Sequence, residues 1–200
     1  MAAEVTPQRD FEFHPVTSER WRDLEALFGE RGAYSGCWCM WWRLKRSEFD
    51  VQTGAERKRG MKAIVDSGEV PGLIAYARGE PAGWCSLAPR ERFGGLERSR
   101  TLKRVDDQPV WSIVCFFVGE RYRAQGLMAK LLRAAVDYAG SRGAKIVEGY
   151  PMEAEGRLPG GTKAYVGIAS VFRKAGFVEV LRRAERQPIM RYSVGGKSSK

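Results

Sequence analysis

Two hundred residues are enough for one domain with a sizeable core, and a composition of 44% hydrophobic and 11% aromatic residues excludes a disordered chain. The net charge of +10 favours anionic partners such as nucleotide phosphates, yet the chain lacks the helix-turn-helix, zinc-finger and RNA-recognition signatures of a nucleic-acid binder. Its longest apolar run, residues 110–118, is far below the ~20 residues of a membrane helix, and residues 1–10 lack the apolar stretch of a secretory signal, so the expectation is a soluble, cytoplasmic protein with no membrane partner.

In chain order, residues 1–10 read as a flexible arm. Residues 11–16 alternate apolar and other side chains, the period of a strand. Thr17 or Ser18 then caps a helix over 20–30, in which Trp21, Leu24, Leu27 and Phe28 recur at spacings of three and four. Gly29, Gly32 and Gly36 interrupt it, and the aromatic segment Cys37-Trp38-Cys39-Met40-Trp41-Trp42-Arg43 follows. Residues 55–66 form a second amphipathic helix carrying Met61, Ile64 and Val65. Apolar runs at 72–77 and 84–87, separated by turn formers over 78–83, predict a hairpin.

Residues 90–107 are polar and read as a loop with a helical turn. The β-branched and aromatic run 110–118 predicts a strand covered on both faces. Residues 126–139 carry a strong helical stripe of Leu127, Leu131, Ala134, Ala135 and Tyr138, stopped by Gly140 and Gly143. A strand over 145–150, a loop over 153–163, a short helix over 167–174 and an antiparallel pair at 177–182 and 188–192 complete the pattern. No repeat or linker splits the chain. The expected organisation is a mixed α/β domain over 11–193, with a flexible tail at 194–200.

Cys37 and Cys39 form C-x-C, Cys85 and Cys115 stand alone in apolar runs, and His14 is the only histidine. That pattern lacks the second pair or histidines of a zinc site, so no metal is expected and the thiols read as reduced core residues. Cys115 as a covalent nucleophile would need a base such as histidine beside it.

The most informative segment runs from Phe116 through Phe117, Val118, Gly119, Glu120, Arg121, Tyr122, Arg123, Ala124, Gln125, Gly126, Leu127 and Met128 to Lys130. A buried strand turns into a helix there. The first turn of that helix has unpaired N–H groups and the positive end of its dipole. Gly126 admits an anion close to the backbone, and Arg121, Arg123 and Lys130 add charge, which makes an anion site of pyrophosphate size. It is neither a Walker loop nor a dinucleotide turn. Arg123, Gly126 and Met128 fall on the [RQ]-x-x-G-x-[GA] pattern, and the segment resembles motif A of the GNAT acyltransferases; Met128 departs from the usual small residue. The hairpin before it and Ile168 to Phe177 after it are similar to the same family's neighbouring elements, so the likeness spans roughly 11–193 in order.

The resemblance implies a mostly antiparallel sheet in which two neighbouring parallel strands splay apart, with helices on both faces. It implies acetyl-CoA as the acyl donor, a primary amine of a small molecule or peptide as acceptor, and a homodimer as a possible assembly. Phe116, Phe117 and Val118 would line the pantetheine arm, and free backbone groups at Val118 would polarise the thioester. Arg123, Ala124, Gln125, Gly126, Leu127, Met128 and Lys130 would hold the pyrophosphate. The family's frequent catalytic tyrosine falls on Phe172, which has no proton to give. Ser112 and Glu148 are then the candidate base positions, with Tyr165 and Tyr150 as reserve acids. Trp38, Trp41 and Trp42 lie where the family builds its acceptor site, and Tyr150 is counted with them. A catalytically silent acyl-CoA-binding domain and a protein N-terminal or lysine acetyltransferase are the alternatives.

Overall fold

The computed structural model describes residues 11–154 and 165–195. The expected arm, most of the loop over 153–163 and the tail beyond residue 195 lie outside them. Seven strands form one sheet, in the order β1-β2-β3-β4-β5-β7-β6. They are β1 (Phe11–Pro15), β2 (Gly72–Ala77), β3 (Glu80–Pro89), β4 (Trp111–Val118), β5 (Ile146–Gly149), β6 (Val178–Ala184) and β7 (Gln187–Ser193). Every adjacent pair is antiparallel except β4 with β5.

The β2–β3 hairpin is tighter than its sequence suggests. Only Arg78 and Gly79 form the turn, at φ 52° and 78°, the two positive angles that a type I′ connection requires. Pro81 and Gly83, expected in the turn, sit inside β3. A bulge between Ala75 and Tyr76 absorbs the irregularity opposite Pro81, a position at which a residue without an N–H is tolerated.

Helices cover both faces. One face carries α1 (Trp21–Phe28), α2 (Arg46–Val51), α3 (Gly54–Asp66) and α4 (Gly94–Arg98). Its core is aromatic: Trp21 and Trp38 stack at 5.9 Å, and Phe28 meets Trp84 edge-on at 5.8 Å. Thr53 and Glu56 start α3 with a reciprocal capping box. The other face carries α5 (Leu127–Ser141) and α6 (Ala169–Lys174). The buried stripe of α5, Leu127, Leu131, Leu132, Ala135, Val136 and Ala139, lies against β2, β3 and β4, and each leucine contributes about 1.5–3 kcal/mol of burial.

α2 was not anticipated. It spans only 6 residues and buries none of them, so it carries no apolar period to read.

The feature that positions the site is the short parallel pair. β4 meets β5 only through Trp111↔Val147, Ser112↔Glu148 and Ile113↔Gly149. Beyond Ile113 the two strands part, and β4 continues to Val118 with β3 alone beside it. Val114 is an extra residue opposite β3, between the pairs Ser86↔Cys115 and Leu87↔Ile113. Such a bulge bends a strand and leaves ladder groups unpaired.

Candidate active site

Four structures converge around the free half of β4: an exposed amide turn at its end, a gap beside it, an apolar cavity on one face and a buried ionic network below.

The amide turn follows Val118. A short 3₁₀ turn over Glu120–Tyr122 leads to Arg123, Ala124 takes φ 59°, and Gly126 caps α5 at φ 74° with no side-chain partner. The amides of Ala124, Gln125, Gly126, Leu127 and Met128 donate to no backbone carbonyl, whereas Ala129 and Lys130 both close onto Gly126. Arg123 to Gly126 are exposed, and a Cβ on Gly126 would meet nothing within 4 Å. The result is a row of donors facing solvent at a helix N-terminus, the geometry that holds phosphates.

Side chains contribute less here than expected. Arg123 folds back, with Nε donating to the Val118 carbonyl at 3.3 Å and Nη1 lying 3.5 Å from Glu120. The Val118 carbonyl is thus engaged by Arg123. Gln125 donates to the Arg121 carbonyl at 2.7 Å, Lys130 lies 5.0 Å from the Phe11 ring, and Met128 is half-buried against the α5 core. The backbone, not the charged side chains, shapes the turn.

Phe116 and Phe117 point to opposite faces, as successive strand residues must. Phe116 is buried 6.1 Å from Phe172, while Phe117 lies 5.6 Å from Phe28 and 5.5 Å from Tyr34 on the other face. What both offer to the gap is main chain. Phe172 closes the gap from the α6 side: a Cβ on Gly149 would come within 2.3 Å of its ring, and one on Gly167 within 2.7 Å. Its ring is core packing.

The cavity has a volume of about 370 Å³, within the usual range for small-molecule sites. Its walls are Tyr34, Trp41, Trp42, Phe49 and Tyr165, with Cys37, Cys39 and Cys115 between them. Cys115 lies on the part of β4 that has no β5 partner. The segment that builds it is conformationally costly. Ala33, Ser35, Trp38 and Cys39 all hold positive φ, at roughly 1–2 kcal/mol each. Trp41 and Trp42, expected near an acceptor, do line the cavity. Trp38 does not: it is buried between Trp21 and Phe28, with a space that only Gly32 leaves open.

Burial disfavours charge throughout this cavity. It raises Cys37 to about 11, helped by Cys39, and Tyr165 to about 12, helped by Cys115. It also raises Tyr34. Cys115 is held well above the usual thiol range by its contact with Cys39 and by burial. His14 cannot activate it: β1 lies three places from β4 in the sheet.

Glu148 has a setting that its sequence did not reveal. It is completely buried rather than solvated. Arg90 Nη1 donates to its Oε1 at 2.9 Å, Tyr150 O–H to the same oxygen at 2.7 Å, and Arg191 Nε to Oε2 at 2.7 Å. Arg191 also holds Asp106, and Ser112 Oγ lies 2.8 Å from Tyr150 Oη. Every expected partner of proton transfer here is already engaged. Burial and the Glu148 charge also push the Tyr150 hydroxyl well above its ordinary value. Ser112, Glu148 and Tyr150 thus lock β4 to β5 at the point where the strands begin to part, and Tyr150 does not line the cavity. Arg90 and Arg191, unremarkable in sequence, are central to this network.

The sequence profile of the Acetyltransferase (GNAT) family matches residues 18–150. No curated protein matches the chain. Among solved structures, a GNAT-family acetyltransferase from Desulfovibrio desulfuricans superposes with a TM-score of 0.54 at 13% identity, covering 93% of this chain and 100% of the other. A histone acetyltransferase HPA2-related protein from Corynebacterium glutamicum gives 0.54 at 16% identity, covering 94% and 99%. An acetyltransferase from Salmonella typhimurium, solved with its cofactor acetyl-CoA, gives 0.52 at 12% identity, covering 94% and 96%.

Proposed function

Because this chain belongs to the acetyltransferase (GNAT) family, we propose that it transfers an acetyl group from acetyl-CoA to a primary amine of a small molecule, by direct attack in a ternary complex. The observation that carries this reading is the row of amides from Ala124 to Met128 that pair with no backbone carbonyl, on a turn exposed from Arg123 to Gly126 at the end of a strand whose next neighbour parts from it. The donor's pyrophosphate rests on those amides. Its pantetheine arm runs along the main chain of β4 between Val114 and Val118, and backbone N–H groups near the Val114 bulge polarise the thioester carbonyl.

The acceptor amine enters from the apolar cavity beside Cys115 and Tyr165. Its nitrogen lone pair attacks the carbonyl carbon, the C–S bond breaks, the coenzyme leaves as a thiolate, and the proton shed by nitrogen passes to that thiolate or to water. Tyr165, which stays protonated because burial raises it to about 12, donates a hydrogen bond to that sulfur. Glu148 and Ser112 act in this reading as positioning residues, through Tyr150 and Arg90. A cavity of about 370 Å³ suits a small acceptor better than a folded protein surface.

Gly126→Trp tests the donor site. The indole fills the open side of the turn, so acetyl-CoA binding measured by calorimetry should be lost while circular dichroism stays native. Unchanged affinity would overturn the assignment. A catalytically silent acyl-CoA-binding domain is the second reading, favoured by the engagement of Glu148 with Arg90 and Arg191. Acetyl-CoA turnover against a panel of amines separates the two.

A further inference from the structure

Acceptance of acetyl-CoA leaves open which amine the cavity takes, and the walls constrain its chemistry. Three observations converge. The walls are aromatic on several sides, and among the described residues no carboxylate and no histidine lines the cavity. Two wall rings are already backed by cations: the Arg46 guanidinium lies 4.4 Å from the Trp41 ring and that of Arg57 lies 4.2 Å from the Phe49 ring. Asp50, which Arg46 holds at 2.7 Å, is not part of the wall.

An aromatic ring attracts a cation through the negative face of its quadrupole. Here an outside cation already uses that attraction at two rings, and a second positive charge on the inner face would feel repulsion across the ring. A low-dielectric site also penalises an ammonium group that has no counter-ion. The groups facing the guest, Cys37, Cys115, Tyr34 and Tyr165, are neutral at ordinary pH, so none is poised to remove a proton.

We propose that the acceptor is a weakly basic aromatic amine, whose nitrogen is uncharged at neutral pH and whose ring stacks among Trp41, Trp42 and Phe49. This rests on the acetyl-transfer reading above. Such an amine needs no base before attack, because its lone pair is free on arrival. In the reaction the new C–N bond forms as the C–S bond breaks, and the proton shed by nitrogen goes to the departing thiolate or to water. The products are an aryl acetamide and coenzyme A.

The test uses the purified chain and two matched probe sets, aniline and 2-naphthylamine against benzylamine and phenethylamine. Binding is read from quenching of tryptophan fluorescence, and turnover from thiol release and the mass of the acetylated product. The arylamines should bind, and their kcat/KM should exceed that of the alkylamines by about tenfold or more near pH 7. The gap should narrow towards pH 9, because alkylammonium groups titrate near about 10. The Arg46→Gln/Arg57→Gln double variant should lower the arylamine preference. Equal or greater turnover of alkylamines at neutral pH overturns the proposal, as does acetyl-CoA binding without arylamine binding. Loss of acetyl-CoA binding itself, read separately by calorimetry, overturns the donor assignment instead.

Discussion

At Glu148 two guanidinium groups and a phenol converge on one buried carboxylate. Removing a partner from such a network leaves an uncompensated charge in the interior, so Glu148→Ala should cost about 3–5 kcal/mol, read as a lowered urea midpoint. Glu148→Gln separates position from chemistry. It should weaken the fold yet leave the shape of the pH–rate profile unchanged, whereas loss of an ascending limb would make Glu148 a base after all. Tyr165→Phe asks the opposite question of a residue that does reach the cavity. With its hydroxyl raised to about 12, the phenol remains a donor through alkaline pH, so the wild-type rate should show no descending limb from this group below about pH 10. The variant should lose about 100-fold in kcat if the hydroxyl stabilises the leaving sulfur. Gly32 belongs to the same scale. Its φ is 57°, and a Cβ would lie 2.2 Å from Trp38 Nε1. Gly32→Ala should therefore destabilise by at least about 2 kcal/mol and shift the tryptophan emission as Trp38 is displaced.

The elements divide the labour between the two faces of the sheet. α5 holds the turn that carries the amides, and its stability comes from leucines packed on β3 and β4. Leu131 is fully buried, and Leu131→Ala should cost about 2–5 kcal/mol, measured by chemical denaturation. Because Leu131 lies one turn inside the helix, the amides at Ala124 to Met128 should keep their geometry. Acetyl-CoA affinity in the folded fraction should then change little, which distinguishes a packing defect from damage to the binding turn. The opposite face is built from the irregular segment between α1 and α2, where strain at Ala33, Ser35 and Cys39 is held by packing against α1 and α3. Strain of this kind persists only where surrounding contacts over-determine it, and here it shapes the acceptor cavity.

Across the whole molecule, ion pairs tie distant segments together. Arg191 on β7 joins Asp106 and Glu148, and Glu153 is held by Arg173 on α6 and Arg182 on β6. Hydrogen bonds from Arg191 hold the Asp106 carboxyl at about 2, and those from Arg173 and Arg182 hold Glu153 at about 2. Both lie below their usual values, so the unfolded chain binds more protons on acidification than the folded one. Their stabilisation is complete above the ordinary carboxylate range and is lost as pH falls towards about 2. The melting temperature should therefore decline over that window and should respond to these two groups little above pH 6; an unchanged melting temperature at pH 3 would contradict the coupling. Among the described residues no helix is long and apolar enough to cross a membrane.

The sequence by itself determined the mixed α/β class, the strand order, the longer helices and the strand-to-helix turn at Gly126, because each is encoded by a local period or a glycine. Only the tertiary structure decided that Glu148 is a buried ionic hub, that Trp38 is core while its neighbours are wall, that the Arg123 side chain turns back onto Val118, and that β4 parts from β5 after Ile113. Most of those outcomes depend on contacts between residues distant in the chain, such as Arg90 with Glu148, 58 positions on, or Trp38 and Trp84 in one core. Local patterning sets which face of an element is apolar, whereas the partner that a buried charge or ring meets is fixed only when the elements pack.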